Sequence, residues 1–237
     1  MLWLLIGTLA VGVLLAFTAH RISLVAAGVV LLGFSVAVFA VRLGQAGPYP
    51  FPRGMDLSAG IGGLVLGALL VWKGFQETPG AGVSLAGRAL LALFPLGFLF
   101  GLAAVLHEVE EVVILRTNGP AGSVYTRLWV VDHDGAPWVL TGTETGAGSN
   151  IAANPSLEFE RGGQKSCRVA HIFQDVPTLR KLSLLRRQKY LAERLAWGVG
   201  YPRLFYTEEQ LRALQPGGST ENVSLGSAAT YRLDPCP

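Results

Sequence analysis

The side chains best suited to hold iron, zinc or a thiolate are few: His20, His107, His133, His171, Cys167 and Cys236. His20 and His107 flank apolar runs, a setting that suits haem. Counting the runs between them puts the two on opposite faces of a bilayer, so they cannot share one iron. The cysteines do not stand at metal-ligand spacing, and two cysteines allow at most one bridge. Alternation with apolar neighbours predicts a buried Cys167. His133 falls in a turn and His171 in a strand, and neither has an obvious catalytic partner. The basic run Arg180, Lys181, Arg186, Arg187, Lys189 and Arg194 reads as a solvated helix face that could touch anionic lipid. A net charge of +3 is too small to point to nucleic acid.

These residues sit on two different kinds of chain. Of 237 residues, 51% are hydrophobic and 15% charged, where a soluble domain carries about 25% charge. Residues 1–106 hold five basic side chains (Arg21, Arg42, Arg53, Lys73, Arg88) and two acidic ones (Asp56, Glu77). The remaining 14 of each sign lie beyond them. That excludes a single soluble globule, a disordered chain and a secreted disulfide scaffold.

Four apolar runs, 2–19, 23–43, 57–75 and 85–106, each approach the roughly 20 residues that cross a bilayer. Backbone groups in lipid must satisfy one another, so the runs predict helices. Gly47, Pro48, Pro50 and Pro52 separate the second from the third, and Pro79, Gly80 and Gly82 the third from the fourth. Gly63 with Gly67, and Gly97 with Gly101, have the spacing that lets helix backbones approach. Pro95 predicts a kink. Arg21, Arg42, Lys73 and Arg88 lie near span ends, where they can snorkel, so no transport path is indicated. Arg42, Arg53 and Arg116 would flank one side of the membrane and Arg21, Lys73 and Arg88 the other, so the positive-inside rule does not fix orientation.

From Val109 onward strand patterns take over. Val112 to Leu115, Tyr125 to Val131, Pro137 to Gly142, Leu157 to Arg161 and Ser166 to Phe173 read as strands. Asp134-Gly135 predicts a tight hairpin, and Gly162-Gly163 another turn. Asn150 to Asn154 reads as a short helix. Asp175 predicts an N-cap for one helix from Pro177 to about Trp197, and Thr207 with Gln210 a capping box for another. Residues 216–237 read as a loose tail with one strand at most. The expected fold is a four-helix transmembrane domain (1–106) and a mainly β barrel with one or two helices (107–215), followed by the tail (216–237). A closed barrel removes the exposed edges of such a meander.

The series from Ile114 to Gly163 resembles the split β-barrel flavin-binding proteins, which include pyridoxamine-phosphate-oxidase-like proteins and deazaflavin-dependent nitroreductases. The shared order is Gly119–Gly122, Arg127 with Trp129, Asp134-Gly135, Thr141, the small-residue loop 142–149, Asn154-Pro155 and Gly162-Gly163. The match covers roughly residues 112–194. The resemblance implies FMN or a deazaflavin coenzyme in a groove between barrel and partner subunit. Arg127 would hold a phosphate, beside Trp129. Thr141 and Thr143 would lie where strand turns to loop, and Ser149 and Asn150 would donate from the short helix. It also implies a homodimer formed through the barrel, a nitro acceptor and a cytoplasmic face, while four spans that hold the pocket near a bilayer surface suit a quinone-like acceptor. One departure stands out. Many such proteins carry Lys, Arg or Trp about seven positions before the Pro of Asn-Pro, where this chain has Gly148, and the loop's one charge is Glu144. The competing expectation is a non-catalytic membrane protein whose barrel is a binding or dimerisation module. The structural alternatives for Arg127 are barrel capping or a pair with Asp132.

Overall fold

The computed structural model describes residues 3–43, 54–204, 206–220 and 223–237. The proline-rich separator at 47–52 lies outside them. Two compact units result: residues 1–109 with 195–200, and residues 110–194 with 201–237.

The first unit is helical: α1 (Trp3–Phe17), α2 (Arg21–Leu43), α3 (Gly54–Gln76) and α4 (Leu85–Val109). Within the last three, Arg21–Val41, Leu57–Gln76 and Leu85–His107 are long and apolar enough to cross a membrane. The apolar α1 is shorter, so the expectation of four spans is met by three helices of spanning length and one below it. Leu24, Leu31, Leu70 and Leu91 are buried between helices, while Ile22, Val36, Ile61, Val65, Trp72 and Phe100 point outward. Large apolar side chains on the outside suit a surround of lipid, which costs them nothing. A Cβ on Gly28 would lie 2.6 Å from the Gly67 carbonyl oxygen, and one on Gly67 2.9 Å from that of Gly28. The backbones of α2 and α3 therefore touch at this pair. Gly63 meets the Ser35 hydroxyl in the same interface. Gly97 and Gly101, in contrast, face side chains of Leu31, Leu66 and Phe34.

The second unit is a closed antiparallel barrel of order β1-β2-β3-β6-β5-β4. Its strands are β1 (Val112–Gly119), β2 (Gly122–His133), β3 (Ala136–Gly142), β4 (Ser156–Arg161), β5 (Gln164–Phe173) and β6 (Ala228–Pro235). Val113 and Leu115, Val130, Val139, Leu157 and Phe159, Ala170, and Ala229, Tyr231 and Leu233 fill the interior, one set per strand. Asp134 and Gly135 both take positive φ, 49° and 73°, as a two-residue hairpin demands. The one strand that the tail reading allowed is β6, which pairs with both β3 and β5 and closes the barrel.

Helices α5 (Gly146–Ala153) and α6 (Val176–Lys189) pack on the barrel strands, and α7 (Leu191–Gly198) and α8 (Glu208–Ala213) follow them in the chain. The single helix expected over 177–197 is broken at Tyr190, whose backbone is extended. The Tyr190 hydroxyl donates to the Val130 carbonyl (2.6 Å) and accepts from the Val130 N–H (3.0 Å). Glu110 then caps α7, accepting from the N–H groups of Leu191 and Ala192. The basic run is not a plain solvated face. Arg180 donates to the carbonyls of Ala213 and Gly218, and Arg187 to that of Leu214. These cations satisfy the bare carbonyl end of α8. Arg186 pairs with Glu193, and Lys189 donates to the Val130 carbonyl.

Candidate functional site

Strand alternation divides the expected site residues between two faces. Leu128 and Val130 point into the barrel, so Tyr125, Arg127 and Trp129 point out. Across the ladder, Arg127 pairs with Ile114 and Tyr125 with Arg116. The Arg116 guanidinium sits 5.4 Å from the Tyr125 ring centre. One outer wall thus carries two guanidiniums and two flat rings. Arg116 and Tyr125 were not singled out from sequence, although the i, i+2 rule applied to Arg127 and Trp129 points to Tyr125.

Trp129 is engaged by α6 and its end. Its ring stacks on Tyr190 at 5.1 Å with planes 14° apart, and the Arg186 guanidinium lies 5.4 Å from its centre. Asp132 is not the partner of Arg127; it takes both ends of the Arg161 guanidinium at 2.7 Å. Arg161 also bonds Glu111, which in turn pairs with Lys189. Arg161 holds the Asp132 carboxyl below the usual carboxylate range, against the opposing effect of partial burial. This cluster ties Glu111, just before β1, to β2, β4 and α6 at one end of the barrel.

The other expected residues gather at the β3–α5 turn. Thr141 points inward with Val139 and is buried, its hydroxyl 3.3 Å from that of Thr145. Thr145 is the N-cap of α5, accepting from the Gly148 N–H at 3.1 Å. Thr143 donates its backbone N–H to the Ser227 carbonyl at 2.7 Å, and its side chain is half-buried, as is that of Ser149. Glu144 is exposed.

Asn150 has a different task. It is fully buried. Its Oδ1 accepts from the Ala121 N–H at 2.9 Å, and its Nδ2 donates to the Gly122 carbonyl at 2.8 Å and toward Thr117 at 3.3 Å. A primary amide offers two donors and one acceptor oxygen. All three groups are engaged in pinning α5 to the β1–β2 hairpin. Gly148 is explained by the same packing. A Cβ there would strike the Gly142 carbonyl and the Thr143 backbone. The turn lies too close to α5 for a Lys, Arg or Trp.

The structure therefore brings Thr141, Thr143 and Ser149 to one turn and sets Arg127 and Trp129 on an outward wall. Among the described residues no cluster of His, Cys, Asp and Glu could hold a metal ion. The sulfurs of Cys167 and Cys236 are bridged, and Cys167 is exposed rather than buried. His171 lies 3.4 Å from Asp234 on the barrel surface, and His133 beside Asp134 in the hairpin turn.

No protein-family model matches the sequence, and no curated protein matches it. Some solved structures are similar to this chain over about half its length. A conserved hypothetical protein from Mycobacterium tuberculosis is 19% identical, over 55% of this chain and 76% of that one, with a TM-score of 0.35. A putative pyridoxamine 5'-phosphate oxidase from Listeria innocua is 10% identical, over 56% of this chain and 89% of that one, with a TM-score of 0.33. A pyridoxamine 5'-phosphate oxidase-related, FMN binding protein from Nostoc punctiforme is 16% identical, over 52% and 70%, with a TM-score of 0.33.

Proposed function

We propose that this chain is a membrane-anchored oxidoreductase whose barrel binds FMN or a deazaflavin coenzyme. The observation that carries the reading is the outer wall of β1 and β2, where Arg116 and Arg127 alternate with Tyr125 and Trp129. A planar, anionic cofactor needs flat apolar surface and a fork of N–H donors for its phosphate. Arg127 is the phosphate ligand in this reading, with Tyr125 and Trp129 beside the ring. Thr143 and Ser149 offer hydroxyls near the start of α5, where a helix N-terminus favours an anion. Thr141 and Asn150 act behind them, holding the turn in place. Because wall and turn lie on different faces of one barrel, a second copy completes the groove, as a homodimer would.

When bound, such a cofactor supplies hydride or electron transfer. The chain's own residues position it, neutralise its phosphate and shield one ring face from water. Apolar helices on the same chain keep the barrel near a bilayer, which suits a quinone-like acceptor, or an apolar nitro compound.

The second reading is a non-catalytic binding or dimerisation module. It is favoured by the loop 142–149, which has no cationic side chain and an exposed Glu144. Titration of the detergent-solubilised full chain with FMN and with a deazaflavin, followed by flavin fluorescence, separates the two. The first reading expects saturable binding that Arg127→Ala weakens at least about tenfold, the worth of one charge-assisted hydrogen bond. Binding of neither compound would leave the second.

A further inference from the structure

The two cysteines stand 69 residues apart in sequence, yet the barrel ladder delivers them to each other. Arg168 of β5 pairs with Pro235 of β6. One step further along an antiparallel ladder sets residue 167 opposite residue 236. The Cys236 N–H donates to the Cys167 carbonyl at 3.4 Å, and the Cα atoms are 5.5 Å apart. That separation is the one a disulfide bridges without moving the backbone. The strand register therefore places this pair for bonding, and the bond joins the end of the last strand to its neighbour.

Cys167 is exposed, so small-molecule reductants reach the bridge. Bridges of this kind persist in oxidising compartments and are reduced where glutathione and thioredoxin hold thiols free. Positive charge gives no competing answer, with three basic residues to either side of the helices.

We infer that the barrel unit works on the oxidising, non-cytoplasmic side of its membrane. The cytoplasmic expectation came from resemblance to flavin proteins alone, and the bridge reverses it. The inference does not depend on what the barrel binds.

Two measurements on bacterial cells test it. The full chain is fused after Pro237 to alkaline phosphatase in one strain and to green fluorescent protein in another. The phosphatase needs export for activity, and the fluorophore needs the cytoplasm. The unfused chain is treated in intact cells with a membrane-impermeant maleimide, before and after an impermeant phosphine. The expected result is an active phosphatase fusion, a dark fluorescent fusion and thiols that label only after reduction. Cys167→Ser should expose Cys236 to the maleimide without reduction. A fluorescent fusion with inactive phosphatase overturns the inference, and so do thiols that label without reduction in the unaltered chain.

Discussion

Asn150→Ala removes three engaged polar groups at once and breaks the side chain's bonds to the Ala121 N–H and the Gly122 carbonyl at the hairpin and to Thr117. Each lost hydrogen bond is worth about 0.5–1.5 kcal/mol. A loss of about 3 kcal/mol would lower the thermal midpoint of a chain this long by about 6–12 °C, readable by differential scanning fluorimetry in detergent. Asn150→Asp should be no better, because a carboxylate then faces the carbonyls of Thr117 and Gly122. Asn150 was placed at a cofactor by resemblance, since sequence order shows which residues start a helix and not which way an amide points. Gly148 shows the converse. Its departure from the family pattern was plain in the sequence, and its cause, contact with the Gly142 carbonyl, needed the fold. Gly148→Ala should therefore destabilise the barrel rather than restore any binding.

Elements whose signals are local were legible, and those set by distant partners were not. The capping box of Thr207 and Gln210 forms as read, and so does the hairpin at Asp134-Gly135. The break at Tyr190 was invisible because it is made by Val130 and Glu110, which lie 60 and 81 positions before the residues they bond. The strand β6 alternates inward Ala229, Tyr231 and Leu233, and the sequence allowed a strand there, but its place between β3 and β5 is set by residues far away in the chain. The α6 arginines were read by charge, and their carbonyl partners on α8 decide their role. Thr145→Ala should cost about 1 kcal/mol through loss of the α5 cap. The Asp132–Arg161 pair makes an acid-side prediction. Because the folded Asp132 pKa is depressed, its contribution is complete above the ordinary carboxylate value of about 4 and is lost as pH falls below it. Arg161→Met should flatten the acid limb of a midpoint-against-pH curve, and an unchanged limb would remove the pair from the account.

At the scale of the whole chain, the described residues hold three helices of spanning length and a closed barrel. The bridge between Cys167 and Cys236 closes a 69-residue span, which in the chain-entropy picture stabilises the barrel by about 4 kcal/mol. Reduction, or Cys167→Ser with Cys236→Ser, should lower the barrel's midpoint while leaving the chain in the membrane fraction. The proposed function rests on the wall of Arg116, Tyr125, Arg127 and Trp129. The most direct measurement is the visible absorption spectrum of the purified full chain, with any chromophore extracted and weighed by mass spectrometry. The proposed function predicts a flavin or deazaflavin band and a matching mass, both reduced in Arg127→Ala. A colourless protein that gains no band when FMN or deazaflavin is added would contradict it.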